Sequence, residues 1–177
     1  MAAMAQSLGG PAAGALAGGL VGRLSEALQE GGAAGAMEFC STEAIPLTMA
    51  LSQEHAPGFE VKRTSLRIRN PGNAPDAWEE RILRYVEAME AEERGSAPET
   101  ITAAGPDGSF RFYRTLRTVP MCLQCHGAED ALSPGVQEIL HARYPDDRAT
   151  GYETGDFRGL LRVEIPADYE GVAPAGS

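Results

Sequence analysis

The sequence predicts an α+β domain: an antiparallel sheet with flanking helices, preceded by an N-terminal helix. Three observations lead there. Four segments place apolar residues at helical spacing and four others alternate, in the order helix, helix, strand, helix, strand, strand, helix, strand. The turns between strand-like segments are of hairpin type, which favours antiparallel pairing with helices set to the sides. The length of 177 residues suits a single domain with a real core.

Each element has a local reason. Leu16, Leu20, Val21, Leu24 and Leu28 form a helical stripe within Ala15 to Gln29, in an Ala/Gly-rich start interrupted by Pro11. This stripe reads as core-facing or partner-facing rather than as part of a cofactor pocket. Gly31, Gly32 and Gly35 loosen the helix, and Met37 to Gln53 is a second one with Pro46 as its kink or start. From Glu60 to Arg69 the residues alternate. Val61, Arg63, Ser65, Arg67 and Arg69 share one face of a predicted strand, which is therefore strongly basic. Asn70-Pro71-Gly72-Asn73 is a turn. Asp76 or Pro75 then opens a helix to about Arg94, striped by Trp78, Ile82, Tyr85, Val86 and Met89 and stopped by Gly95. Glu99 to Ala103 and Ser109 to Val119 form a hairpin around Pro106-Asp107-Gly108, with Phe110 and Phe112 on one face and Arg111 and Tyr113 on the other. Pro134 to Arg143 is a short helix, residues 145–155 a polar loop, and Phe157 to Ile165 the last strand. The expected organisation is an N-terminal helical extension over 1–35, a domain over 36–166 and a loose tail over 167–177.

Composition narrows the function. With 25 acidic and 15 basic residues the net charge is −10, which disfavours nucleic acid and anionic lipid surfaces. No run is apolar and long enough for a membrane span. Met1 to Ala5 lacks the basic region of a signal peptide, so any such peptide is expected to have been removed. Three cysteines cannot all be paired in disulfides.

Two of them lie in Cys122-Leu123-Gln124-Cys125-His126, a C-x-x-C-H segment. This is the attachment signature of haem c: two thiols add to the haem vinyl groups across a fixed spacing, and the adjacent His126 becomes the proximal ligand. A thioredoxin-like pair needs a βαβ context, whereas this motif follows a hairpin. A zinc site needs a further ligand pair, and Cys40, His55 and His141 contain neither C-x-x-C nor H-x-x-x-H. Haem c is attached outside the cytoplasm, so the motif implies a periplasmic or lumenal address. Cys40 is then an unpaired thiol in an oxidising compartment.

Five blocks carry a wider resemblance. They are Glu38-Phe39-Cys40-Ser41-Thr42-Glu43-Ala44; Arg63 through Pro75 with Trp78-Glu79; Cys122-x-x-Cys125-His126-Gly127; Tyr144 through Tyr152; and Gly155-Asp156-Phe157-Arg158-Gly159. In this order they resemble the PAS-like c-type haem-binding family, formerly a domain of unknown function and typified by a cyanobacterial cytochrome with Cys/His haem coordination. The resemblance spans roughly residues 36–166. It implies a PAS-like sheet, one covalent haem c, and iron held by His126 and Cys40. It also implies a role in redox or small-ligand sensing, in domains that often precede signalling modules.

Cys40 has a physical warrant of its own, because iron lowers the pKa of a thiol and protects the thiolate. Met37, Met49, His55 and His141 remain alternative ligands. Arg63, Arg67 and Arg69 are candidates for the two haem propionates, since guanidinium forks match carboxylates. Arg114 and Arg117 are alternatives. Asp146 and Asp147 read as a turn, and Asn70, Trp78 and Tyr144 as structural. The expected function is a periplasmic monohaem cytochrome acting as a sensor. As the chain leaves no room for a transmitter after Ile165, it would work through a partner protein or a second copy paired through the Leu16–Leu28 stripe. An electron shuttle would dock a basic partner on its acidic surface. A peroxidase-like enzyme would need an open axial position.

Overall fold

The computed structural model describes residues 2–105 and 107–169. Pro106 of the expected turn and residues 170–177 of the expected tail lie outside them. The described residues form five α-helices and four strands: α1 (Ala2–Thr42), α2 (Ala44–His55), β1 (Glu60–Thr64), α3 (Ala77–Glu92), β2 (Thr100–Ala104), β3 (Phe110–Arg117), α4 (Leu123–His126), α5 (Pro134–Arg143) and β4 (Phe157–Ile165). The strands form one antiparallel sheet in the order β1-β4-β3-β2, with Arg63 opposite Leu161 and Phe112 opposite Val163. The α+β, PAS-like architecture is the expected one.

α1 is much longer than its leucine stripe. Ala5, Ala12, Ala13 and Leu16 are buried against Phe112, Leu161, Val163 and Ile165 of the sheet. This packing carries the helix through Pro11, whose cost inside a helix is about 3 kcal/mol. The glycines loosen the helix without ending it. At Gly32 the backbone adopts φ 61°, ψ −162°, a conformation essentially restricted to glycine, and the axis kinks. The stretch from Ala33 to Thr42 then turns its side chains to a second cluster, where Met37 meets Leu132, Val136 and Leu140 of the α5 region. Pro46 sits in the first turn of α2, where a missing N–H is tolerated.

β1 stops at Thr64, five residues before the expected end. Opposite it in the sheet, Gly159 (φ 146°) brings its backbone against the Thr64 carbonyl, where a Cβ would clash. A register shift between Leu116 and Arg117 leaves Arg158 as an extra, unpaired residue at the start of β4. Beyond Thr64 the chain leaves the ladder and crosses to the 147–150 loop.

α3 covers the other sheet face. Its start is a capping box: Asp76 accepts from the Trp78 and Glu79 amides at 2.9 and 2.7 Å, and Glu79 accepts from the Asp76 amide at 2.8 Å. The buried side chains are Glu79, Leu83 and Val86. Trp78, Ile82 and Tyr85 instead line an open groove beside β2, so the expected stripe is rotated. The reason is electrostatic. Glu79, fully buried, takes a core-facing position because Lys62 and Arg162 each lie 3.0 Å away. The β3 faces are as read, with Phe110 and Phe112 toward α1 and Arg111 and Tyr113 toward α3. Among the described residues, no helix is long and apolar enough to cross a membrane.

Candidate cofactor site

The motif folds as a tight double turn. Pro120 opens a 3-10 turn over Pro120–Cys122, and α4 follows without a break until the Gly127 amide donates to the Leu123 carbonyl at 2.9 Å. Residues three apart on a helical turn share a side. Cys122 and Cys125 therefore both line one cavity, together with His126.

That cavity has a volume of about 510 Å³, within the usual range for bound small molecules. One wall is α1, through Leu20, Val21, Leu24, Leu28, Met37 and Cys40. Opposite are Arg63, Ile68 and Arg69, the end of β3, and Arg158 and Leu161 of β4. The stripe read as core-facing or partner-facing is thus corrected: Leu16 enters the core, while Leu20 to Leu28 form the apolar wall of the pocket. Periodicity reports that a face is buried, not what buries it.

His126 is held for ligation. Its Nδ1 donates to the Ala149 carbonyl at 2.6 Å, which leaves Nε2 as the nitrogen with a free lone pair. Two further bonds strap the motif down, from the Tyr152 amide to the His126 carbonyl at 2.9 Å and from Gly151 to Gly127 at 2.7 Å. Burial, with Arg158 and Arg69 nearby, pushes the imidazole pKa well below its ordinary value. His126 is therefore neutral, as a metal ligand must be.

Cys40, Cys122 and Cys125 are half-buried and free of disulfides. Burial pushes the Cys40 thiol up, with Arg63 and Arg69 pulling the other way. Burial, and next the charge of a Cys40 thiolate, push Cys125 to about 11. Both are thiols at neutral pH, so a metal at Cys40 would have to displace its proton. By type the four residues make a Cys₃His zinc set. Among the described residues, however, no three His, Cys, Asp or Glu side chains are arranged to hold an ion. The cavity they line is largely apolar.

A model of the Tll0287-like family, described as Tll0287, matches residues 3–166. The chain belongs to the Tll0287-like family. The match takes in α1, which extends beyond the resemblance read from the five sequence blocks. A solved structure described as the crystal structure of the cyanobacterial heme-protein Tll0287 is 24% identical, covering 82% of this chain and 94% of its own, with a TM-score of 0.55. At that identity the likeness shows the fold. No curated protein matches.

This Tll0287-like chain brings some predicted residues together and separates others. Cys40, Arg63, Arg69, Cys122, Cys125 and His126 all line the cavity. Arg67 does not. It donates from Nε to the Arg148 carbonyl at 3.1 Å and from Nη2 to the Thr150 carbonyl, with its guanidinium 4.1 Å from the centre of the Tyr152 ring. The strand expected to align all three arginines ends before Arg67. Arg69 is anchored by Asp147 (3.0 Å), the Cys125 carbonyl (2.7 Å) and the Ala149 carbonyl (3.3 Å). Asp147, read as a turn residue, is thus one half of a buried ion pair, with both side chains 9% exposed.

Of the alternative ligands, Met37 lines the cavity, with its sulfur 3.5 Å from Arg69 Nη1. Met49, His55 and His141 lie elsewhere, His55 beside Glu54 and His141 beside Glu129 on the surface. Arg158 and Tyr144 are lining residues that no site assignment from sequence included. The only advance signal for them was their place in two of the five blocks.

Proposed function

We propose that the protein is a haem-binding sensor of redox state or of a small ligand. One haem c would be attached through Cys122 and Cys125, with His126 and Cys40 as axial donors. The observation that carries this reading is the convergence of all three cysteines and His126 on one apolar cavity from two distant parts of the chain. The neutral His126, with Nδ1 already committed to Ala149, supports the proximal role. The relative of similar fold is described as a heme-protein. When bound, the haem supplies an iron whose charge and ligation can change.

The chain's residues account for the rest. Burial disfavours a Cys40 thiolate, and the nearby Arg63 and Arg69 offset that in part. Cys40 rides on the last turns of α1, beyond the Gly32 kink. Cys40 would hold the iron from this short limb, so a change there would bear on the limb's position relative to the longer one on the sheet. With both His126 and Cys40 as donors the iron would have no open site, which favours sensing over peroxidase chemistry. Attachment of haem c implies an extracytoplasmic, periplasmic address.

The test is expression in a host competent in haem attachment, comparing wild type with Cys40→Ala. The expected result is haem that stays bound after denaturation, and a ferric spectrum that changes in the variant. An unchanged spectrum removes Cys40 as a ligand. Haem-free wild-type protein overturns the reading.

A further inference from the structure

The cavity carries an unusual charge balance for so acidic a chain. Among the described residues four arginines line it, Arg63, Arg69, Arg117 and Arg158, and no Asp or Glu does. Two of the four are neutralised from outside. Arg69 pairs with Asp147, and Arg117 pairs with Glu90 at 2.6 Å. Arg63 and Arg158 have no carboxylate partner among the described residues. Burial lowers the pKa of both, and the charges of Arg69 and Arg63 lower that of Arg158 further, with Asp147 acting in the opposite sense. Two positive charges thus face one cavity without an ion-pair partner among the described residues, a costly arrangement that a doubly negative ligand would relieve.

Arg158 is also pre-set in direction. Its Nη1 donates to the Arg67 carbonyl at 3.2 Å, and its guanidinium lies 5.2 Å from the centre of the Tyr152 ring, which Arg67 also contacts. Arg158 is the residue that the β3/β4 register skips, and both it and Leu161 reach the cavity. Arg63 enters from the neighbouring strand β1.

We propose that Arg63 and Arg158 form the anion clamp of the cavity, one guanidinium for each propionate of a bound haem. This deepens the haem reading and rests on it. It replaces the basic strand face, Arg63 with Arg67 and Arg69, by a pair drawn from two adjacent strands. It also orients the ligand, with its carboxylate edge toward the β1/β4 end of the sheet.

The test uses the holoprotein: wild type, Arg63→Gln, Arg158→Gln, the two corresponding lysine variants, Arg67→Gln, and Arg84→Gln as a charge control on the exposed face of α3. The readouts are the midpoint potential and the propionate bending band in resonance Raman spectra. Loss of a cation near the iron favours the ferric state. Each glutamine variant should lower the ferrous-to-ferric ratio at fixed potential about tenfold, or about 59 mV for one electron, and shift the band. Lysine should restore most of the effect, and Arg84→Gln should have none. Loss of haem in both glutamine variants with recovery in the lysine variants supports the clamp equally. Fully loaded glutamine variants indistinguishable from Arg84→Gln overturn it and leave the haem reading intact. A shift in Arg67→Gln but in neither clamp variant overturns it too. Wild type that takes up no haem overturns the haem reading itself, and the clamp with it.

Discussion

Asp147→Ala offers the sharpest test of how the candidate site is held. Asp147 accepts from Arg69 Nε at 3.0 Å and Nη2 at 3.3 Å, and from the Ala149 amide at 3.2 Å. The Ala149 carbonyl is in turn the acceptor for His126 Nδ1. Truncation leaves the Arg69 charge in a position only 9% exposed. Breaking a buried pair from one side typically costs about 3–5 kcal/mol. Arg69 keeps the Cys125 and Ala149 carbonyls as acceptors, so the loss should fall near the lower figure, about 3 kcal/mol. In a chain of this length that is a fall in Tm of roughly 6–12 °C. Urea denaturation with an unchanged m-value is the assay. A loss below about 0.5 kcal/mol, ordinary for a surface substitution, would refute the view that this pair anchors the loop under His126.

Other outcomes follow from the same geometry. Gly32→Ala should destabilise the fold by about 1–3 kcal/mol in urea denaturation, because alanine strains at φ 61°, ψ −162°. It should also alter the Cys40-dependent part of the ferric spectrum. The Arg117 guanidinium beside Glu90 holds that carboxyl down at about 2. A depressed carboxylate contributes stability above the ordinary glutamate pKa that is lost as pH falls toward 2. Glu90→Gln should therefore flatten the acid limb of a urea-midpoint profile over that window. Tyr152→Leu removes the ring shared by Arg67 and Arg158. A loss of about 1–2 kcal/mol is expected by thermal denaturation, at about 0.5–1 kcal/mol per contact. Glu79→Ala should be worse than Glu80→Ala by several kcal/mol, since it strands Lys62 and Arg162 while Glu80 meets only exposed Arg84.

Much of the fold was legible because its signals are local. The bounds of β4 and α5 coincide with the periodicity of Phe157 to Ile165 and Pro134 to Arg143. Asp76 announces α3 through its cap. What was not legible depends on contacts far apart in sequence. α1 outruns Pro11 and the glycines because sheet residues from β3 and β4 cover its small side chains. β1 ends early because of Gly159, 95 residues downstream of Thr64. In the site, C-x-x-C-H carries its chemistry in five consecutive residues. Arg158 does not, because its role emerges only when β4 lies beside β1. Alternation placed Arg67 and Arg69 with Arg63, but alternation holds only while the strand lasts.

The bonds from Tyr152 to the His126 carbonyl and from Gly151 to the Gly127 carbonyl tie α4 to a stretch without regular secondary structure. Amides in such a stretch ordinarily exchange with solvent in local fluctuations, whereas these two open only if the motif lets go. The 24 residues from Gly127 to Thr150 are closed into a loop by them. Slow hydrogen exchange at two loop amides would thus report the integrity of the whole ligand turn, and its acceleration would mark the first step of its opening.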